Sequence, residues 1–264
     1  MSSVCCTNSM AVDALARRIR ARVLTMACMG RSSHVASCLS CADILAVLYG
    51  RVLQVDPQAP TSPDRDRFIL SKGHAAMALY ATLAERGLLD PAELDSFGTR
   101  GSALEGHANE AVPGVEASTG SLGHGLSIGA GMVLGGAPRV FVLLSDGECQ
   151  EGSVWEAAEF ATRMRLSRLV AIVDANGWQA TERCDTSRLP QKWAAFGWDV
   201  LTIDGHDVRQ LAEALQSDHD KPLAVIAKTV KGKGVPFMED RLEWHYRWPD
   251  EAELAKGLAA LGVC

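Results

Sequence analysis

Val140-Phe141-Val142-Leu143-Leu144 is an apolar strand that runs straight into Ser145-Asp146-Gly147-Glu148, and Leu169 to Val173 is a second strand that runs into Asp174-Ala175-Asn176-Gly177. These two stretches decide the fold. Neighbouring parallel strands deliver their carboxyl ends to one edge of a sheet, where open α/β proteins bind their ligands. Asp146 and Asn176, thirty positions apart, are thereby expected to converge. A carboxylate, an amide oxygen, a backbone carbonyl just past Asn176 and phosphate oxygens make an octahedral all-oxygen shell suited to Mg²⁺. Gly147 leaves room for phosphate to approach the backbone. Either turn alone is ordinary; the pair at this spacing points to a metal-diphosphate site.

Outward from these strands, helical and strand patterns alternate as a doubly wound, mostly parallel sheet with helices on both faces requires. Val12 to Ala27 reads as an opening helix with Leu15, Ile19 and Val23 on one face. Ala42 to Leu53 and Ala75 to Arg86 read as further helices, with a short strand at Phe68 to Leu70 between them. Pro91 opens a short helix at its favoured first-turn position. Ser96 to Pro113 is rich in Gly and small polar residues, and reads as a loop that no core holds without a ligand or partner. The pattern continues with helix 122–134, strand 140–144, helix 153–164, strand 169–173, a long loop to about Asp199, strand 200–203, helix 208–215 and strand 223–230. No repeat or low-complexity linker interrupts it, so residues 1–264 are read as one domain.

The chain has 264 residues, 47% of them hydrophobic, enough for one large core. A formal charge of −6, with no basic tract other than Lys228 to Lys233, argues against nucleic acid as the main partner. No run approaches the ~18 consecutive apolar residues of a membrane span. Met1 to Met10 lacks the basic and apolar regions of a signal peptide, so the cytoplasm is expected. The eight cysteines then read as reduced thiols. Cys38-x-x-Cys41 has no second pair of matching spacing, since Cys5-Cys6 is too close to serve as one, and is read as packing.

A site that handles a diphosphate benefits from neutral donors able to exchange protons near neutral pH, which draws attention to histidine. His74 follows Ser-Lys-Gly at a helix start, where backbone N–H groups face an anion. His206, in Asp204-Gly205-His206-Asp207, reads as structural, with Asp207 capping the next helix. Lys231 and Lys233 read as a solvated turn, with a role in closing over phosphate as the alternative. The glycines of Gly120 to Gly125 do not follow G-x-G-x-x-G and precede their strand, so a dinucleotide is disfavoured.

D-G-E-C-Q-E-G-S-V-W-E-A-A from Asp146, with D-A-N-G-W-Q from Asp174, resembles the transketolase family and its thiamine-diphosphate motif. So do Arg67 to His74 (R-F-I-L-S-K-G-H), Gly106-His107, Thr119 to Gly125 (T-G-S-L-G-H-G) and Lys228 to Gly234 (K-T-V-K-G-K-G), in the family's order along nearly the whole chain. The resemblance implies that Asp146, Asn176 and the Trp178 carbonyl hold Mg²⁺. It implies that His74, His107, Gly120, Leu122, Gly123, His124, Asp146, Gly147, Glu148 and Asn176 meet the cofactor. His34, His74, His107 and His245 then serve substrate and proton transfer. Glu151 and Glu156 fall where the family's glutamates meet near a dimer interface and connect two active sites, which implies two copies of this chain in one assembly.

The loop Arg31-Ser32-Ser33-His34-Val35-Ala36-Ser37 keeps the histidine of the family's Ser-Gly-His-Pro-Gly-Gly but replaces its Gly and Pro, which predicts a reshaped loop and a substrate choice different from pentose phosphates. The first Gly of the family's Gly-Asp-Gly is Ser145 here. The family's pyrimidine-binding and C-terminal domains have no counterpart in this sequence. The resemblance therefore implies the cofactor-binding subunit of a split enzyme, in an α2β2 assembly with a second subunit that carries the pyrimidine-binding domain. Its reaction is transfer of a two-carbon ketol unit from a ketose, phosphorylated in the family's manner, to an aldehyde. Two alternatives stand: a decarboxylating thiamine-diphosphate enzyme acting on a 2-oxo acid, and a non-catalytic binding or regulatory relic of the fold.

Overall fold

A computed structural model describes residues 2–263, with side chains from Met10; the thiols of Cys5 and Cys6 lie outside the described residues. Five parallel strands form one sheet: β1 (Arg67–Leu70), β2 (Val140–Ser145), β3 (Leu169–Ala175), β4 (Asp199–Asp204) and β5 (Leu223–Lys228), in the order β1-β2-β3-β5-β4. β2 is buried at every position. Its Phe141 and Leu143 enter one core, and Val140, Val142 and Leu144 the other. The period-2 alternation of a strand explains why both sets are apolar: each sheet face is covered.

The first core is closed by α1 (Ser2–Met29), α2 (Val35–Ser40), α3 (Ala42–Val47), α4 (Ala76–Glu85) and α8 (Val208–Leu215). The second is closed by α5 (Gly125–Leu134), α6 (Gly152–Arg163) and α7 (Leu189–Ala195). Gly129 of α5 allows this helix to lie on the sheet, because a Cβ there would stand 2.7 Å from Val142 Cγ2. α9 (Glu251–Ala260) starts on a capping box, Asp250 with Glu253, and packs on α1.

Several sequence expectations change. The helix expected over 42–53 begins at Ala42 as α3 but is α-helical only to Val47, after which Leu48–Val52 is a π-turn; α2 precedes it, set off at Cys41. The long loop before Asp199 contains α7, which Pro190 opens and which buries Leu189 and Trp193 one turn apart. Strand 223–230 stops at Lys228. The 96–113 segment is anchored by Phe97, Leu104, Ala108 and Val112, which are all buried. Cys38 and Cys41 are packed thiols as expected, each pushed up to about 12 by burial. Asp207 caps α8 through Arg209 N and Gln210 N.

Candidate active site

Register places Ser145 of β2 opposite Asp174 of β3, so Asp146 and Asn176 leave the sheet side by side. Asp146 accepts from Gly147 N at 2.8 Å and, through its other oxygen, from Gly177 N at 2.6 Å. Burial, with Asp174 nearby, pushes its carboxyl up to about 6. Asn176 Nδ2 donates to Asp174 Oδ2 (3.4 Å) while its Oδ1 accepts from Trp178 N (3.1 Å), which fixes which end of the amide is oxygen. A buried carboxylate with no direct ion pair among the described residues, an oriented amide oxygen and the adjacent Trp178 carbonyl make an all-oxygen donor set that fits a hard divalent cation.

Beneath this set, Asp174 is a junction. It accepts from Ser40 Oγ at 2.6 Å, from Thr229 Oγ1 and from Lys72 Nζ, in an ion pair without accessible surface. Burial raises its carboxyl, but the Lys72 ammonium and the two hydroxyls outweigh burial and hold it below its ordinary value. Lys72 also donates to the carbonyl of Ser37 (3.0 Å).

The four histidines singled out by sequence converge on one cavity of about 410 Å³, together with Ser37, Gly120, Leu122, Gly147, Glu151, Asn176 and Trp178. The ring of His34 lies 5.3 Å from that of His74, 6.0 Å from His107 and 4.8 Å from His245. His34 adopts a left-handed backbone (φ 70°) and donates its N–H to the carbonyl of His245 at 2.9 Å. Burial, then neighbouring charges, lowers His34 to about 4 and His245 to about 3, and takes His74 well below its ordinary value. These rings are neutral at pH 7, able both to donate and to accept. Gly120 (φ 152°) packs against His107, where a Cβ would meet Cδ2 at 2.8 Å.

Glu148, expected at the cofactor, is fully buried behind the cavity. It accepts from Ser71 Oγ (2.5 Å), Gly123 N (2.8 Å) and Ser145 N (3.1 Å), and so ties together three of the segments that build the site. Gly123 is buried in that tie, and His124 is exposed with Nδ1 facing the carbonyls of Ser121 and Leu122; neither lines the cavity. Glu156 is exposed on α6, one turn beyond the cavity-lining Glu151.

Lys231 corrects the solvated-turn reading. It is fully buried, its Nζ 3.1 Å from His245 Nδ1, and burial, with Lys72 nearby, lowers it to about 8. The turn is drawn inward because Gly232 N donates to Ala36 O (2.9 Å) and Gly232 (φ 80°) packs on Met238 O, 2.4 Å from where a Cβ would stand. Sequence reasoning also passed over Gln150 and the segment Gln179-Ala180-Thr181, which line the cavity.

Fold and site together define an open α/β domain that presents oxygen ligands and neutral imidazoles at the carboxyl ends of its strands. Residues 12–263 match the family model described as transketolase, thiamine diphosphate binding domain, and the chain belongs to that family. It is 38% identical over 242 residues to one named subunit of the apulose-4-phosphate transketolase of Phocaeicola vulgatus, covering 87% of this chain and 86% of that one. It is 40% identical over 240 residues to human transketolase, 87% of this chain but 38% of that protein's length. Among solved structures, Leishmania mexicana transketolase superposes with a TM-score of 0.90 at 27% identity, over 96% of this chain and 41% of that one. Campylobacter jejuni transketolase gives 0.87 at 28%, over 97% and 43%. The chain thus spans about two fifths of the full-length transketolases it matches.

Proposed function

We propose that this chain is the cofactor-binding subunit of a split, thiamine-diphosphate-dependent transketolase. The observation that carries the reading is the convergence of His34, His74, His107 and His245 on one cavity that Ser145, Gly147, Asn176 and Trp178, the residues around Asp146, also line. Mg²⁺ is the hard cation that this oxygen set suits, and Gly147 lets a diphosphate approach the backbone beside it. When bound, thiamine diphosphate supplies the carbanion chemistry that moves a two-carbon ketol unit from a ketose to an aldehyde. The chain's own residues bind and orient. The neutral histidines hold sugar hydroxyls and pass protons, and Lys231 adds positive charge behind His245.

The relative from Phocaeicola vulgatus is named as one subunit of its enzyme, and this chain matches most of that subunit's length. That supports a second chain carrying the pyrimidine-binding domain, in an α2β2 assembly whose two copies of this chain meet near Glu151 and Glu156. Phosphorylated ketoses are the proposed donors, with the altered His34 loop setting a preference apart from pentose phosphates. Among the described residues no helix is long and apolar enough to cross a membrane. The thiols of Cys28, Cys38, Cys41, Cys149 and Cys184 are all free, which favours a reducing cytoplasm.

The test is to isolate the tagged chain from its native cells with Mg²⁺ and thiamine diphosphate present and to identify by mass what accompanies it. The pair is then assayed with ketose phosphates and 2-oxo acids. A stoichiometric second chain and ketol transfer are expected. Turnover of 2-oxo acids alone, or a chain that emerges without partner and cofactor, overturns the reading.

A further inference from the structure

Gly177 to Cys184 forms a small hairpin, closed by Cys184 N to Gly177 O (2.9 Å) and Gln179 N to Glu182 O (3.0 Å). Its tip, Gln179 to Thr181, is one wall of the cavity, and its first strand carries Trp178. The opposite wall contains His245 and, behind it, Lys231 on the turn after β5. Asp240 joins the two walls from outside. Its carboxylate takes a two-pronged contact from Arg183 (2.8 and 2.7 Å) and accepts from Trp178 Nε1 (2.7 Å). Its own N–H donates to the carbonyl of Lys231 at 2.8 Å. Arg183 meanwhile stacks on the Trp178 ring, 3.9 Å from its centroid.

The energetics of this cluster are those of a positioning device. Arg183 and Asp240 are exposed, 59% and 54% at the side chain, and exposed ion pairs contribute little to stability. Asp240 has a left-handed backbone (φ 58°), which costs rather than contributes. A forked guanidinium, a ring stacked beneath it and an indole N–H on the same carboxylate nonetheless fix orientation in three directions. The group so oriented is Trp178, whose carbonyl belongs to the cation donor set.

We propose that Asp240 is a positioning residue for the metal-diphosphate site. Through Arg183 and Trp178 it sets the Trp178 carbonyl, and through Lys231 it holds the facing wall at a matching distance. The inference rests on the cofactor-binding reading above and assigns to an exposed residue, 62 positions from Trp178, control over how firmly the cation and diphosphate are held.

The test uses the chain with its partner and compares Asp240→Asn, Asp240→Gly and Arg183→Lys with wild type. Dissociation constants for Mg²⁺ and thiamine diphosphate are measured by calorimetry, with unfolding transitions recorded on the same samples. Glycine relieves the left-handed backbone while removing the carboxylate. Asp240→Gly is therefore expected to keep or raise the unfolding temperature and yet weaken Mg²⁺ about tenfold, within the range that outer-shell ligand partners command. Asp240→Asn and Arg183→Lys are expected to weaken it less, and Arg18→Ala, which breaks an ion pair with Glu85 elsewhere, not at all. Unchanged Mg²⁺ and cofactor affinity in Asp240→Gly, or loss of affinity only in step with loss of stability, overturns the proposal. Wild-type protein that binds neither Mg²⁺ nor thiamine diphosphate overturns the cofactor reading itself, and this proposal with it.

Discussion

Asp174 and Lys72, 102 positions apart, meet in an ion pair from which solvent is wholly excluded. Neither group has water to fall back on, so removing one strands the other. Lys72→Met or Asp174→Ala is expected to destabilise the chain by about 3–5 kcal/mol. Urea unfolding measures this, and a loss below about 1 kcal/mol, the range of exposed pairs, would show that the pair is hydrated in solution. The double substitution is expected to recover part of the loss, because it leaves no orphaned charge.

Glu148 faces only donors. A glutamine in its place must turn an amide NH₂ toward Ser145 N–H, or toward Gly123 N–H and the Ser71 hydroxyl. Glu148→Gln is expected to cost about 1–3 kcal/mol despite its identical shape. Cofactor affinity is expected to drop with it, since Gly123 and Ser145 flank the cavity. Equal denaturation midpoints for the two proteins would refute this account of the clamp.

Stability of the isolated chain is expected to decline as pH falls from about 6.5 toward 4. His34, His74 and His245 have folded-state values below the unfolded value, so the unfolded chain binds more protons across that window and is favoured by acid. Each contributes up to about 1.4 kcal/mol per pH unit where it alone titrates. Asp146 and Glu148, raised by burial, pull the opposite way, leaving a net slope of the histidines' sign. His34→Gln is expected to flatten the curve; an unaltered slope would remove this histidine from the explanation.

Asp146, lifted to about 6, must lose its proton to take a divalent cation. Mg²⁺ affinity is expected to be flat above about pH 7 and to fall below about pH 6, approaching tenfold per unit, with about one proton released per ion bound. Calorimetry in buffers of different ionisation enthalpy counts that proton. Binding as tight in mild acid as in mild alkali would exclude Asp146 as a ligand.

Gly120→Ala places a methyl 2.8 Å from His107 Cδ2 at a backbone angle that favours glycine. Displacement of His107 is expected to lower kcat/KM of the assembled enzyme by about 100-fold, with thiamine diphosphate still bound. Steady-state kinetics with a ketose donor check it, and unchanged turnover would place His107 outside the reaction.

Much of this was legible in the sequence because strand ends are local signals. Val140–Leu144 and Leu169–Val173 announce both the sheet and the edge to which it brings Asp146 and Asn176. The four histidines came from the wording around them, and the cavity joins all four. α7 and α9 had signals that went unread: Leu189 and Trp193 one turn apart behind Pro190, and the Asp250-x-x-Glu253 box. Lys231 was misread for a physical reason. Lys-Gly-Lys-Gly looks like a solvated turn, and only the long-range bond from Gly232 to Ala36 turns it inward. Asp240, 57 positions from Arg183, lies in no motif at all.

The junction at Asp174 also bears on how such a protein can diverge. Ser40, Lys72 and Thr229 reach it from three separate segments, and Asn176 from two residues along its own, so none can drift without disturbing the other three. By contrast, the tip of the 177–184 hairpin is held by its own bonds, from Gln179 N and Nε2 to Glu182. Sequence divergence is therefore expected to gather at that tip, on the cavity wall, and to spare the Asp174 junction.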